Sequence, residues 1–250
     1  MLSIKLPDGS EKQLPDGSNG YDLAKSIGPG LAKSAIAVTI DGVQKDLSDL
    51  LADNTTVSII TIDSNEGLEI MRHTLTAQVL ASAIKNLYPN CKLAIGPTID
   101  DGFYYDVLSD ESISSEDLES IEKEMRLIIK EKSTIKKTLH NKADAINSFK
   151  NLKEDYKVKI IEDSDQEKDF QIYTNQDTSF IDLCVGPHLP DLSFIGSYKL
   201  TKVSGAYWKG DSQNEMLTRV YGTAWRNKKE LDKYLDHLVE AEKRDHRKIG

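Results

Sequence analysis

The periodicity of the apolar residues changes at one polar break, Asp63-Ser64-Asn65-Glu66-Gly67. That change limits the chain to a small strand-rich unit followed by a larger mixed one. Before the break, Leu2, Ile4 and Leu6 alternate up to a Pro7-Asp8-Gly9 turn, and Lys12 to Leu14 resumes the alternation until Pro15-Asp16-Gly17. Tyr21, Leu23, Ala24 and Ile27 suit a short helix that stops at Gly28-Pro29-Gly30. Ala35 to Ile40 reads as a strand, Asp41-Gly42 as a tight turn into Val43, and Val57 to Ile62 as a closing strand.

Two strands, a helix and further strands is the order of a ubiquitin-like β-grasp, and other small α+β domains share it. Past the break the spacing predicts a helix from about Gly67 to Leu87, with Val79, Leu80, Ala83, Ile84 and Leu87 on one face and Pro89 ending it. Leu93 to Ile95 and Gly102 to Val107 read as strands. Leu118, Ile121, Met125, Ile128 and Ile129 mark a second amphipathic helix, and Asp144 to Leu152 a third. Strand patterns recur at Tyr156 to Ile161, Gln171 to Tyr173, Phe180 to Leu183, Tyr198 to Val203 and Leu217 to Tyr221. The end is helical, with Leu231, Tyr234, Leu235, Leu238 and Val239 sharing a face. Helices and strands without regular βαβ alternation indicate an α+β class. The expected division is residues 1–63, 64–225 and a helical linker at 226–250.

Composition narrows the function. At 250 residues with 38% hydrophobic and 29% charged side chains, the chain can bury a good core, and no apolar run is long enough to span a bilayer. The start, MLSIKLPDGS, lacks an apolar signal core, so a cytoplasmic protein is expected. Cys91 and Cys184 are too few for a disulfide framework and read as thiols. The net charge of −9 argues against broad electrostatic binding of nucleic acid. Lys199, Lys202 and Lys209, in a stretch without acids, and the slightly basic end from Arg226 could still contact RNA locally.

Five histidines are present; His140, His237 and His246 sit in polar surroundings and read as surface residues. His188 closes Asp182-Leu183-Cys184-Val185-Gly186-Pro187-His188, where Gly-Pro forces a turn that can aim a thiol and an imidazole at one point. Alone, the same spacing describes a buried cysteine and a loop-capping histidine. Asp182 lies two residues before the thiol, so strand alternation puts both on one face, and a carboxylate beside an imidazole fixes its tautomer. His73 follows Arg72 near the expected start of the first helix after the break. Lys157, read on a strand, is expected to face solvent; turned into a cleft it would be a proton-transfer or water-positioning group. Tyr104 and Tyr105 alternate in Gly102-Phe103-Tyr104-Tyr105-Asp106, so one ring can join a core while the other faces a nucleobase. Gly205-Ala206-Tyr207-Trp208-Lys209-Gly210-Asp211 suits an RNA contact and equally an ordinary hairpin.

These segments together resemble the threonyl-tRNA synthetase family, in its amino-terminal part. The cysteine–histidine motif is similar to that of the family's editing domains. Ala94 to Asp100, Gly102 to Asp106, Gly205 to Asp211, Arg219 to Trp225 and the tail Lys243 to Gly250 match as well. The resemblance implies a β-grasp module of the type called TGS, an editing domain that hydrolyses seryl-tRNA(Thr), and a helix leading to a synthetic core beyond residue 250. It also implies tRNA(Thr), through its 3′ acceptor end, as the partner. ATP use, a zinc site and homodimerisation belong by the same resemblance to the longer parent protein, while this stretch alone would be monomeric. Editing is needed because one methyl group discriminates serine from threonine too weakly.

The resemblance places catalytic residues at His73, Lys157, Asp182, Cys184 and His188, with Gln78, Tyr105 and Tyr104 as substrate-binding residues. Water activation would fall to Lys157 or His73, Asp182 would hold the serine ammonium or orient a partner, and Cys184 would not be a covalent nucleophile. No cofactor is implied for hydrolysis; in the related alanine-type domains a similar set binds zinc, and here His73, Cys184 and His188 would hold it. One departure stands out. The family's helix carries two histidines four apart, whereas here Ala77 stands at that spacing, and matching from Ala83-Ile84-Lys85 needs one extra residue and substitutes Gln78. A module that only docks the tRNA acceptor end is the alternative.

Overall fold

The computed structural model describes residues 1–249, and Gly250, the last residue of the expected linker, lies outside them. Strands β1 (Leu2–Lys5) and β2 (Glu11–Leu14) form a hairpin. Helix α1 (Gly20–Ile27) starts at a reciprocal cap in which Asn19 and Asp22 satisfy each other's backbone N–H. Helix α2 (Pro29–Ser34) follows, then β3 (Ala35–Ile40), β4 (Val43–Asp46) and β5 (Thr55–Thr61). The sheet order is β2-β1-β5-β3-β4, with β1 and β5 parallel, the arrangement of a β-grasp. Ile4, Leu23, Val38 and Val57, all fully buried, fill its core between sheet and α1.

The second unit opens on a continuous helical rod: α3 (Asn65–Thr74), a π-helical turn (Leu75–Leu80) and α4 (Ala81–Leu87). Ser64 caps it by accepting the Gly67 N–H at 3.0 Å. The helix therefore begins earlier than expected, and His73 lies at the end of α3 rather than at its start. Next come β6 (Lys92–Leu93), β7 (Thr98–Ile99), β8 (Gly102–Leu108), α5 (Leu118–Lys130), β9 (Ile135–His140) and α6 (Lys142–Asn151). Then follow α7 (Asp155–Glu162), β10 (Phe170–Asn175), β11 (Ile181–Leu183), β12 (Ser197–Tyr207), β13 (Met216–Trp225) and α8 (Lys228–Ile249). One antiparallel sheet runs β12-β13-β8-β6 with β7 paired to β8, and a smaller one runs β11-β10-β9. The π turn touches β8 of the larger sheet and β11 of the smaller one, and its six residues are all buried. The fold is α+β, as the lack of βαβ alternation indicated.

Two segments differ from expectation. Tyr156 to Ile161, expected as a strand, is α7: Val158 and Ile161, three apart, pack on Ala145, Phe149, Phe170 and Ile172, so burial of a helical face overrides the β-branched composition. Strand β9 escapes the alternation test because its polarity is inverted, with Lys137 tucked inward while Leu139 is 57% exposed. On α8, Leu231 is buried and Tyr234 meets Trp225 (centroids 5.1 Å apart), but Leu238 and Val239 of the expected apolar face remain exposed.

Candidate active site

Two distant segments meet beside the π turn: the end of α3 and the loop that leaves β11. His73 Nε2 lies 2.8 Å from Cys184 Sγ, and His188 Nε2 lies 2.9 Å from the same sulfur. The two imidazoles stack, with centroids 4.5 Å apart and planes 5° from parallel. Thr74 settles the tautomer of His188. Its hydroxyl donates to the Ile70 carbonyl at 2.9 Å, so at 2.8 Å from His188 Nδ1 it accepts, as it does from the Leu189 N–H at 2.9 Å. His188 thus carries its proton on Nδ1 and turns a bare Nε2 toward the sulfur.

Burial governs the charge of this cluster. It pushes His73 down to about 4, against a raising bond to the Val185 backbone. His188 falls well below the usual imidazole range, through burial first and its neighbour His73 second. The Cys184 thiol is pushed well up by burial and then by the Asp182 charge, with Lys157 opposing. At neutral pH all three groups are uncharged, and the thiol is not poised as a nucleophile.

A buried ion pair stands next to them. Lys157 Nζ lies 2.7 Å from Asp182 Oδ1, with the two side chains 3% and 2% exposed. Asp182 Oδ1 also accepts the Leu183 N–H at 2.9 Å, and Oδ2 accepts the Tyr105 hydroxyl at 3.2 Å. Burial raises the Asp182 carboxyl, and Lys157, Tyr105 and the Leu183 N–H pull against it. Of the two roles expected for Asp182, holding the serine ammonium or orienting a partner, this geometry matches the second, with Lys157 as the partner. The expectation that Lys157 faces solvent fails for the reason that α7 is a helix: its face turns the side chain inward.

His73, Lys157, Asp182 and Cys184 line a cavity of about 470 Å³, together with Ile95, Gly96, Pro97, Phe170 and Gln171. Among the described residues, His188 and Tyr105 stand behind that lining. Gly96 could not be another residue, since a Cβ there would sit 2.1 Å from the Tyr105 ring. Two expected substrate-binding residues are elsewhere. Tyr104 points to the other side of β8, where the Arg219 guanidinium lies 3.8 Å from its ring. Gln78 is fully buried and donates to the Tyr173 carbonyl at 3.2 Å, outside the cavity. Gln78 lies within the π turn, where the Ala81 N–H bonds to the Thr76 carbonyl five residues back, so the turn holds one residue more than an α-turn. Thr74 and Gln171 carried no signal as site residues in the sequence, and Gly96 carried only its place in the Ala94 to Asp100 match.

His73 Nε2, Cys184 Sγ and His188 Nε2 lie within 4.8 Å of one another, a nitrogen and sulfur donor set suited to zinc with a fourth position left for water. Thr74 on His188 Nδ1 is the outer partner that such a ligand requires.

A β-grasp module followed by an α+β unit with this cavity defines a class that the family models describe. Residues 2–61 match the TGS domain, and residues 170–221 match the "Threonyl and Alanyl tRNA synthetase second additional domain". Asp182, Cys184 and His188 fall inside the second match, and His73 and Lys157 before it. Over its whole length the chain is similar to the amino-terminal region of threonine-tRNA ligases. It is 48% identical over 250 residues to the threonine-tRNA ligase of Acidithiobacillus ferrooxidans, covering 100% of this chain and 38% of the relative. It is 50% identical over 250 residues to that of Francisella tularensis subsp. tularensis, covering 100% and 39%. The chain thus spans under two fifths of the length of these relatives. No helix among the described residues is long and apolar enough to cross a membrane.

Proposed function

We propose that this chain hydrolyses the ester of seryl-tRNA(Thr), as the editing part of a longer threonine-tRNA ligase. The observation that carries the reading is one cavity that presents a buried, charge-balanced ammonium beside a neutral imidazole. The water oxygen attacks the seryl carbonyl carbon, the carbonyl electrons move onto oxygen, and the bond to the ribose oxygen then breaks. Lys157 donates hydrogen bonds to the developing oxyanion, and Asp182 keeps it in place. The proton that the water loses on attack goes to the ribose oxygen as that bond breaks, and His73 Nε2, uncharged at neutral pH, carries it between them. Cys184 acts as a neutral thiol against the Nε2 atoms of both stacked rings.

A second reading follows from the sulfur facing two imidazole nitrogens, since one thiol proton serves one nitrogen at a time. Zinc bound there would activate water or polarise the carbonyl. Incubating the purified chain with seryl-tRNA(Thr) and counting released serine tests the main reading. Release that persists in chelator supports it, release abolished by chelator and restored by zinc favours the second, and tRNA binding without release leaves an acceptor-end docking module. The synthetic activity, ATP use, homodimerisation and cytoplasmic location of the parent protein belong to the same proposal.

A further inference from the structure

The β-grasp module touches the residues that stand behind the cavity lining. Asp46, the last residue of β4, is 6% exposed. Its Oδ1 accepts the backbone N–H of His188 at 2.9 Å, and its Oδ2 accepts the Tyr173 hydroxyl at 2.8 Å and pairs with Lys137 Nζ at 3.1 Å. Tyr173 in turn sets its ring edge-on to the His188 imidazole, with centroids 4.4 Å apart and planes at 80°. Gly186 permits this arrangement, because a Cβ at that position would lie 1.7 Å from the Tyr173 hydroxyl. One carboxylate therefore holds both the backbone of residue 188 and the ring packed against its imidazole.

A simple tether between the modules would not need this. Asp49, three residues on, already binds the same Lys137 Nζ at 2.6 and 2.8 Å and accepts the Asp46 backbone N–H at 3.0 Å. None of these bonds reaches His188 or Tyr173. Removing Asp46 would strand the buried His188 N–H and leave the Tyr173 hydroxyl only its longer bond to Gln171 Oε1 at 3.2 Å, and such groups reorient to recover partners. We infer that Asp46 is a positioning residue of the candidate active site, so that the site is completed by a side chain from the β-grasp module. Its catalytic consequence rests on the proposed hydrolysis.

The test compares Asp46→Ala with Asp49→Ala in the whole chain. Melting by circular dichroism, kcat and KM for seryl-tRNA(Thr), and the NMR resonances of the His188 amide and imidazole are measured for each. Asp46→Ala is expected to lower kcat roughly tenfold with KM within about twofold, and to move both His188 resonances. Asp49→Ala is expected to lower the melting temperature while leaving kcat and those resonances in place. Equal kcat values in the two variants, with His188 unmoved, overturn the inference. If the wild-type chain releases no serine, the proposed function falls, and the His188 resonances alone decide whether Asp46 positions it. If Asp46→Ala does not fold, Tyr173→Phe decides: a drop of roughly threefold in kcat with a shifted His188 amide supports the inference, and neither change refutes it.

Discussion

Two groups of side chains at the cavity, one fully buried and one buried only in part, reach opposite electrostatic outcomes. Lys157 and Asp182 face each other at 2.7 Å and form an ion pair. His73, Cys184 and His188 crowd around one sulfur with no counter-charge of their own, and burial keeps them neutral. Burial penalises charge everywhere, and a partner at contact distance decides whether charge survives it. The combination suits the proposed ester hydrolysis. One half supplies a fixed positive dipole for the oxyanion, and the other supplies lone pairs that are not consumed by protons.

The largest test of this contrast removes one member of the pair. Lys157→Met leaves the Asp182 carboxyl buried without its ammonium, and a loss of about 3–5 kcal/mol in unfolding free energy is expected by denaturant titration, together with loss of serine release. The double variant Lys157→Met with Asp182→Asn is expected to regain most of the stability and none of the activity. Recovery of activity would show that the ammonium is not needed.

The neutral half predicts a pH dependence. An unfolded imidazole titrates near 6.5 and folded His73 near 4, so between those values the unfolded chain binds more protons. Stability from this residue is full above about pH 6.5 and is lost as pH falls toward 4, by on the order of 3 kcal/mol. His73→Gln is expected to flatten that part of the stability curve, and an unchanged slope would show that His73 is charged in the folded chain. The smallest expected effect is that of the thiol. Cys184→Ser should keep serine release within about tenfold of wild type, because neither the neutral reading of the sulfur nor the proposed water attack needs a thiolate. Loss by several orders of magnitude would restore the nucleophile or the zinc ligand.

Much of the fold was legible because it is written locally. The β-grasp strands alternate cleanly between Pro-Asp-Gly turns, and Pro89 marks the end of the long helix, whose start came out two residues late because the Ser64 cap was not read. The cysteine–histidine turn was legible for the same reason, since residues 182–188 are adjacent in the chain. Lys157 was misread because Tyr156, Val158, Ile160 and Ile161 look like a strand, and only packing against Phe149 and Phe170 makes a helix of them. Tyr104 and Tyr105 could be told apart as opposite faces, but which face meets the cavity depends on where β13 and the π turn lie relative to β8.

The sequence by itself determined the two-part α+β plan and the turn that joins Cys184 to His188. Tertiary structure decided the rest: that the helix after His73 carries a π turn, that Gln78 points away from the cavity, that Lys157 finds Asp182, and that Asp46 of one module holds His188 of the other. The physical reason is range. Periodicity and capping act over a few residues, whereas the 111 positions between His73 and Cys184 and the 142 between Asp46 and His188 are closed only by packing of whole layers.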